Sequence, residues 1–505
     1  MLKITQLDDF KKYTDSKTFE KLKPYSTILQ LLKYQKKQIP EQIALENSTT
    51  ALTYKQLYRQ TCAITPYLVS FKKQTHIAII SNSNLYFILS ALGIMANGMV
   101  AVFIPPFLTP EEIKNLIEYY DIKMCFFDKD YQEKIKSIQK EDFRIHFIEL
   151  SSINYKKTKA FYREINKNDV ATIIFSKKQD GSFRGAMLTH QSILMSAFYG
   201  SLAIKNVINQ QYYSVLPFTH VFGFVRNILT PLVTDSRVFI CTNMRKMLKE
   251  IPLVKPQIMV LVPALLELLL NMIKRFHIDL FQHHLHSIIV GGAACPSYLI
   301  EQYHQMGIDI FQGYGMTETS NLVTGNPSPM EKPDSVGLIF PYQEGKIING
   351  ELYIKGPNRM KGYYKDEQEN QKMIVDGFIK TGDLAYQDED GYLYILGRCD
   401  ELIVLTNGEN ISPVKIEKMV NRIDGVLECM VYEDHDILAI DIVLRKDVLK
   451  EKHIDDENEY IKIEMTKINQ QLASYERISK INIVQTELNK DENMKIIRKK
   501  GKNLL

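Results

Sequence analysis

Four short motifs in the second half of the chain carry side chains suited to binding a nucleotide. They are residues 312–319 (QGYGMTET), 381–383 (TGD), 397–400 (GRCD) and 495–498 (KIIR). Together they supply an aromatic face, a hydroxyl, carboxylates for a metal ion and for sugar hydroxyls, and cations for phosphate. One such match would be weak, but four in this order indicate a nucleotide site in a chain that activates a substrate with ATP.

Strand-like apolar runs alternate with helical patterns through most of the length. Helices are predicted at residues 82–96 and 110–120, and Thr109 can cap the second of them. This rhythm predicts an α/β fold with parallel sheets covered by helices. The predicted strands are residues 76–81, 99–104, 124–127, 170–175, 213–216, 237–241, 258–262 and 287–290.

The sequence pattern changes after about residue 335, from long alternating elements to short apolar segments. Segments 350–355 (GELYIK) and 391–396 (GYLYIL) are separated by glycine and Asp-Glu-Asp-Gly turns, which predicts a small antiparallel β subdomain. A final block mixes helices with strands and is long enough for a small α+β domain. Its helices are predicted at 414–423 and 457–472 and its strands at 428–432, 437–443 and 481–484. We predict domains of residues 1–398 and 399–505 with a hinge near Asp400.

Composition narrows the class of protein. At 505 residues, with 45% hydrophobic and 24% charged content, the chain is typical of a soluble globular protein with two or more domains. The formal charge of +4 is small and its basic residues are dispersed, so nothing requires a nucleic-acid partner. The most apolar stretch, residues 87–108, contains prolines and polar residues, so a buried helix and strand are expected there and no transmembrane segment.

The six cysteines are scattered and include no CxxC pair. This spacing is typical of reduced thiols and not of a disulfide framework or a zinc site. The N-terminus has acidic residues where a signal peptide would need an apolar core. We therefore expect a cytoplasmic protein.

These motifs, with others along the chain, resemble the adenylate-forming superfamily of acyl-CoA synthetases, luciferases and peptide-synthetase adenylation domains. The resemblance covers nearly the whole length, and its most specific parts are GYGMTET, TGD and residues 397–403 (GRCDELI). It implies a large N-terminal domain, a small mobile C-terminal domain and a two-step ligase reaction. Its other parts are residues 52–57 (LTYKQL), 185–190 (GAMLTH), 216–223 (LPFTHVFG), 290–294 (VGGAA), 350–352 (GEL) and 407–413 (NGENISP).

The implied reaction begins when a carboxylate attacks the α-phosphorus of ATP, giving an acyl-adenylate and pyrophosphate. A thiol then displaces AMP. Because two anions meet in the first step, catalysis rests on positioning and charge neutralisation. The resemblance assigns catalytic roles to His220, Thr317, Glu318 and Lys495, and cofactor contacts to Ser176, Gly181, Arg184, Gly291, Gly292, Ala293, Tyr314, Asp383, Arg398 and Gly408.

Each assignment has a chemical reason. Glu318 offers oxygen to Mg²⁺, Thr317 offers a hydroxyl to the α-phosphate, and Tyr314 offers a flat face to adenine beside a small-residue turn. The Asp383 carboxylate suits a ribose diol. The structural alternatives are a turn before a surface helix for the first motif and a turn with a solvated carboxylate for Asp383.

The remaining assignments also have structural alternatives. Arg398 would contact ribose or phosphate, or form a surface salt bridge. Lys495 would bridge the carboxylate and phosphate oxygens, since a flexible lysine delivers a point charge, or would simply be solvated. His220 would form a gate at the acyl pocket, or pack in the core. Asp400 resembles the residue about which the small domain turns.

The phosphate loop, residues 175–185 (FSKKQDGSFRG), departs from the superfamily form. That form is a run of glycine, serine and threonine ending Pro-Lys-Gly. Ser176, Gly181 and Gly185 keep its chemistry and Arg184 replaces the lysine, whereas Asp180 should repel polyphosphate. Lys177 and Lys178 stand where the superfamily form has a serine and a glycine, and these two added cations against one added anion give an expected net attraction for polyphosphate with poorer geometry. We expect altered or slow handling of pyrophosphate.

Three functions follow from these observations. The first is a carboxylate–thiol ligase for a fatty or other apolar acid, using ATP, Mg²⁺ and coenzyme A or the phosphopantetheine of an acyl carrier protein. The second is an impaired relative that binds AMP or acyl-adenylate without efficient ATP turnover. The third, amino-acid adenylation, needs an acid near residues 220–224 to meet the substrate ammonium, and none is present there.

Overall fold

The computed structural model describes residues 1–14, 16–139, 145–161, 163–177, 182–404, 410–435, 437–490 and 496–498. Residues up to Arg398 form two large sheets with helices packed on them. The residues that follow, here called the C-terminal region, form a smaller sheet with its own helices. Within the described ranges, no helix has the length and apolar character needed to cross a membrane.

The larger sheet has a parallel half and an antiparallel half that share the strand Asp309–Tyr314. The parallel half continues through Ser287–Val290, Ile258–Leu261, Gln211–Ser214, Arg237–Ile240 and Ile43–Glu46, with Ala51–Thr53 antiparallel at its edge. The antiparallel half continues through Thr324–Gly325, Gly337–Ile339, Tyr392–Arg398, Phe378–Gln387, Glu351–Lys355 and Glu344–Ile348, with Ile374–Val375 paired to Phe378–Gln387. The two halves therefore meet at Tyr314.

The residue patterns explain this division. Parallel strands such as Ser287–Val290 (SIIV) are buried along their whole length, as expected for strands covered on both faces. Glu351–Lys355 instead alternates buried and half-buried residues, which is typical of an antiparallel strand with one face toward solvent.

The second sheet brings the phosphate-loop strands beside a parallel sheet. Its order is Gly362–Tyr363, Phe183–Thr189, Val170–Lys177, Val100–Phe103, His76–Ile80, Met124–Phe127 and His146–Glu149. The last five strands are parallel neighbours, and the first two join them antiparallel. Phe183–Thr189 was not among the predicted strands.

Side-chain caps define where several helices begin. The Thr109 hydroxyl accepts from the Glu112 amide and the Glu112 side chain returns to the Thr109 amide, a complete capping box. Thr189 forms a capping box with Ser192, whereas Asn84 makes a single cap by accepting from the Phe87 amide. The longer helices before the C-terminal region are Ser16–Lys21, Ile28–Gln38, Tyr54–Thr61, Leu85–Ala96, Pro110–Tyr119, Gln132–Gln139, His190–Tyr199, Met247–Val254, Pro263–Phe276, Ser297–Gln305 and Glu367–Met373.

The C-terminal region builds an α+β unit around its own core. The strands Val426–Asp434 and Ile437–Leu444 form a hairpin, and Lys480–Val484 runs parallel to the second. Their apolar faces pack with the helices into one cluster that includes Ile416, Ile440 and Met465. The remaining elements are Pro413–Val420, Lys446–Glu451, Glu457–Gln471 and the short strand pair Ile403–Val404 with Asn410–Ile411.

The predicted fold class is confirmed: parallel αβ sheets, an antiparallel β part after about residue 335, and a small α+β C-terminal unit. The division at 398/399, the hinge near Asp400 and the mobility of the second domain stay predictions.

Gly337 allows two strands of the antiparallel half to approach closely. It has φ +97, and a Cβ added there would lie 2.1 Å from the backbone carbonyl of Gly325. Gly307 also has positive φ, +77, but an added Cβ would meet nothing within 4 Å. Gly337→Ala should therefore lower the melting temperature far more than Gly307→Ala. The control carries only the left-handed backbone cost of about 1–2 kcal/mol. Thermal unfolding measures both variants, and equal losses would contradict the close approach.

Candidate active site

A cavity of about 1610 Å³ lies between the large sheet and the C-terminal region. Tyr314 and Thr317 line it where the shared strand ends, Asp383 and Arg398 line it from the antiparallel half, and Glu417 lines it from the C-terminal region. Ligands of open α/β sheets bind at the carboxyl ends of the strands, which is where this cavity opens.

Asp383 is held from two sides inside this cavity. The Tyr314 phenol donates to its Oδ2 at 2.5 Å, and Arg398 Nη1 donates to its Oδ1 at 3.3 Å. Asp383 and Arg398 are directly opposite in register on neighbouring strands. Arg398 also donates to the Thr381 carbonyl at 3.1 Å and to Asp400 at 3.2 Å. The three predicted nucleotide residues therefore form one contact group.

The protonation states of this group suit sugar recognition. Burial, reinforced by the Asp383 charge, raises the pKa of Tyr314 well above its ordinary value, so the phenol remains a donor. Burial alone would lower the pKa of Arg398, but Asp383 and Asp400 raise it above the ordinary value. A carboxylate fixed in this way keeps lone pairs to accept two ribose hydroxyls.

Glu318 is a buried carboxylate next to the cavity residue Thr317. Glu318 is only 5% exposed to solvent. Its Oε1 accepts hydrogen bonds from the Ser176 hydroxyl at 3.1 Å and from the Tyr363 phenol at 2.6 Å. Burial, with the Glu318 charge second, raises the pKa of Tyr363, so that phenol also remains a donor.

Glu318, held by these two hydroxyl donors, is suited to bind a magnesium ion that arrives with a nucleotide. The described residues include no cluster of three or more His, Cys, Asp or Glu side chains that could enclose a metal ion. Mg²⁺ bound to nucleotide phosphates takes one or two carboxylates and keeps waters, so a single fixed acid suits it. Ser176 and Tyr363 orient that acid.

Arg184 lies beside this acid and is paired. It forms an ion pair with Glu369, and its guanidinium carbon is 5.1 Å from the centre of the Tyr363 ring. Tyr363 thus connects Arg184 to Glu318. Ser176, Glu318 and Arg184 do not line the cavity itself, whereas Thr317 does.

The small-residue turn follows the strand Ser287–Val290 and lines the cavity. A Cβ at Gly291 would approach Phe222 Cζ to 3.0 Å, and Gly292 has φ +84, so side chains are disfavoured at both positions. Ala293 is exposed at the cavity wall. The missing side chain at Gly291 therefore makes room for the Phe222 ring.

His220 lies at the cavity wall just before the short helix Val221–Phe224. It is half-buried, so it is not a fully packed core residue. This position suits the predicted gate at the acyl pocket.

Three predicted site residues, Gly181, Gly408 and Lys495, lie outside the described residues. From the same motif as Lys495, Arg498 lines the cavity and forms two 2.7 Å hydrogen bonds with the Glu417 carboxylate. Its Nε lies 3.3 Å from Glu401. The KIIR motif is therefore anchored to the C-terminal region at its last residue.

Sequence reasoning missed two residues of this site. Tyr363 contacts Glu318 across 45 positions of the chain, and no local pattern marks that contact. Arg226 lines the cavity from within an apolar run. A charged residue inside residues 221–233 (VFGFVRNILTPLV) was the signal that could have identified it.

Two protein-family models together, and several known proteins, match most of the length of this chain. A model described as AMP-binding enzyme matches residues 32–364, and one described as AMP-binding enzyme C-terminal domain matches residues 400–503. The 2-succinylbenzoate–CoA ligase of Oceanobacillus iheyensis is 27% identical over 481 residues, covering 91% of this chain and 96% of that protein.

Two further matches are a ligase named for another acid and a solved structure with bound ATP. The long-chain-fatty-acid–CoA ligase of Salmonella typhimurium is 25% identical over 466 residues, covering 80% of this chain and 82% of that protein. The structure of an O-succinylbenzoate coenzyme A synthetase from Bacillus subtilis in complex with ATP and magnesium ion has a TM-score of 0.76 and 23% identity. It covers 92% of this chain and 98% of that one. The similarity to this solved structure supports the fold described above.

Glu318→Gln should weaken the dependence of ATP binding on Mg²⁺. The amide can still accept from Ser176 and Tyr363, so the change removes mainly a charge, worth about 4 kcal/mol to a unit charge at about 4 Å in an effective dielectric near 20. We expect the Mg²⁺ concentration for a half-maximal ATP-induced rise in melting temperature to increase at least about tenfold. The control is Glu369→Gln, which removes an acid from the same group and should leave that concentration unchanged. An unchanged Mg²⁺ midpoint in Glu318→Gln would remove this acid from the metal site.

Proposed function

This chain belongs to the AMP-binding enzyme family, and from that membership we propose that it is an ATP-dependent acid–thiol ligase. It joins a carboxylic acid to the AMP part of ATP as an acyl-adenylate, releasing pyrophosphate, and then transfers the acyl group to a thiol, releasing AMP. The observation that carries the proposal is the contact group of Tyr314, Asp383 and Arg398 at a cavity between the two parts of the chain.

In the first step the side chains position two anions against each other. Asp383 accepts the ribose hydroxyls, and Tyr314 and the turn at Gly291 receive the adenine. The Thr317 hydroxyl donates to the α-phosphate as the acid attacks. Glu318 would hold Mg²⁺, which would supply positive charge against the pyrophosphate. Lys495 is proposed to bridge the attacking carboxylate and the phosphate.

In the second step a thiol displaces AMP. We propose coenzyme A as the acceptor, with the phosphopantetheine of an acyl carrier protein as the alternative. The names of the related CoA ligases support the first. The 407–413 segment, which includes Gly408, is proposed to complete the thiol tunnel after rotation near Asp400.

The acyl part of the substrate is proposed to be apolar. The residues that line the cavity include Ala203, Ile204, Leu216 and Phe340, which favours an acid with an apolar body. A fatty acid is one such substrate. The acids in the names of the related ligases are 2-succinylbenzoate and long-chain fatty acids, so the relatives include ligases for both aromatic and aliphatic acids.

A cytoplasmic location is proposed from the thiols. All six cysteines are unpaired, and five of them are buried. Reduced cysteines of this kind are typical of cytoplasmic proteins.

Carboxylate-dependent exchange of labelled pyrophosphate into ATP tests the proposal. The wild-type protein should catalyse exchange with at least one acid from a panel of aliphatic and aromatic acids, and should form a thioester when coenzyme A is added. Lys495→Ala should lose exchange by a factor of at least about 100 and still convert a supplied acyl-adenylate into thioester, because that step needs no pyrophosphate chemistry. AMP binding without exchange for any acid would instead indicate the impaired relative.

A further inference from the structure

Arg226 is a buried cation at the cavity wall. Arg226 is only 3% exposed to solvent, and it is one of the residues that line the cavity. Its Nη1 donates to the Thr230 hydroxyl at 3.3 Å, and its Nε has no hydrogen-bond partner among the residues that the structure describes. Across the described ranges, no ion pair includes Arg226. Buried charges are normally paired, so an arginine in this state needs a partner from elsewhere.

The charge on Arg226 is retained at neutral pH. Burial lowers its pKa to about 10, which leaves the guanidinium protonated. Tyr212 is the titratable group that acts on the Arg226 charge, and burial raises the pKa of this phenol to about 12, so it supplies no negative charge at neutral pH. A full positive charge therefore remains at the wall of the cavity.

Gly200 makes the space that the guanidinium occupies. A Cβ at this position would lie 1.3 Å from Arg226 Nη1 and 2.9 Å from the Thr230 hydroxyl. The backbone of Gly200 has φ −59 and ψ −14, an ordinary helical conformation that any residue adopts. Space for Arg226, and not backbone conformation, is thus what requires a glycine here.

A second donor that lines the cavity also lacks an acceptor. Tyr199 lines the same cavity and is fully buried, and its hydroxyl has no partner among the described residues. The ring is fixed by stacking on Phe340 at 5.2 Å. Arg226 itself lies in the π-helical turn Val225–Leu229, a local geometry frequent at functional sites.

We propose that Arg226 binds a second carboxylate at the far end of the acid, so that the preferred substrates are dicarboxylic acids with an apolar middle. This inference rests on the proposed function. A guanidinium binds a carboxylate through two parallel hydrogen bonds, and the Tyr199 hydroxyl is available as a further donor. An acid with an apolar end would leave both donors buried and unpaired, which is the arrangement that rejects such substrates most strongly.

The test compares matched acids. Pyrophosphate release is measured with straight-chain dicarboxylic acids from succinic to sebacic and with the monocarboxylic acid of each length. Wild type should prefer the best diacid over its matched monoacid by at least about 100-fold in kcat/KM. Arg226→Met should abolish or invert that preference, and Gly200→Ala should reduce it without removing the charge. Arg237→Met removes an exposed arginine from the same domain and should leave the ratio unchanged.

Two further measurements separate the possible failures. Calorimetry of the best diacid binding to the AMP-loaded protein should show at least about tenfold weaker binding to Arg226→Met, whether or not turnover occurs. The melting temperature of Arg226→Met should equal or exceed that of wild type, because the change removes an unpaired buried charge.

The outcomes distinguish the inference from the proposed function. If wild type turns over no acid but Arg226→Met loses diacid binding, the ligase proposal fails, and Arg226 as the binding site of a second carboxylate stands. Equal turnover of monoacids and diacids by wild type would overturn the inference and leave the ligase. A lower melting temperature with equal loss for both acid types would assign Arg226 a structural role. If Arg226→Met does not fold, an unchanged ratio in Gly200→Ala would equally overturn the inference.

Discussion

The Asp383 carboxylate ties three strands of the large sheet together at the cavity. Tyr314 donates to one of its oxygens and Arg398 to the other. Tyr314 ends the strand shared by the parallel and antiparallel halves, and Arg398 leads through Asp400 into the C-terminal region. The nucleotide site, the junction of the two half-sheets and the link to the C-terminal region therefore depend on the same charged contact, which its partial burial strengthens.

Two other charged side chains of the site, Glu318 and Arg226, have no partner of opposite charge among the described residues. Within the part of the chain that the structure describes, Glu318 receives only neutral hydroxyl donors and forms no ion pair. Arg226 donates to one hydroxyl and, among those same residues, likewise pairs with no acid. An acid without a cation suits a metal ion, and a cation without an acid suits a substrate anion. The two ends of the proposed reaction thus each have an uncompensated charge ready for a ligand of opposite sign.

Local patterns predicted the elements better than the contacts between them. The strand Ser287–Val290 and the helix that begins at Pro110 agree with prediction because an apolar run and a capping threonine act locally. Phe183–Thr189 escaped prediction because Arg184 and Gly185 interrupt its apolar character, and its pairing with Val170–Lys177 is a tertiary contact. The superfamily resemblance is confirmed by the family match over residues 32–364. Tyr363 with Glu318, and Arg226 with Gly200, join residues far apart in the chain, and no spacing rule reveals such contacts.

Calorimetric titration with AMP of wild type and of Asp383→Asn tests the central contact most directly. The amide keeps the size of the side chain, but its NH₂ group faces a donor and it has no charge for Arg398. The control is Asp388→Asn, which removes a carboxylate paired with Lys332 just beyond the end of the same strand. The account predicts at least about tenfold weaker AMP binding for Asp383→Asn and wild-type affinity for the control. Equal AMP affinity in wild type and Asp383→Asn would contradict it.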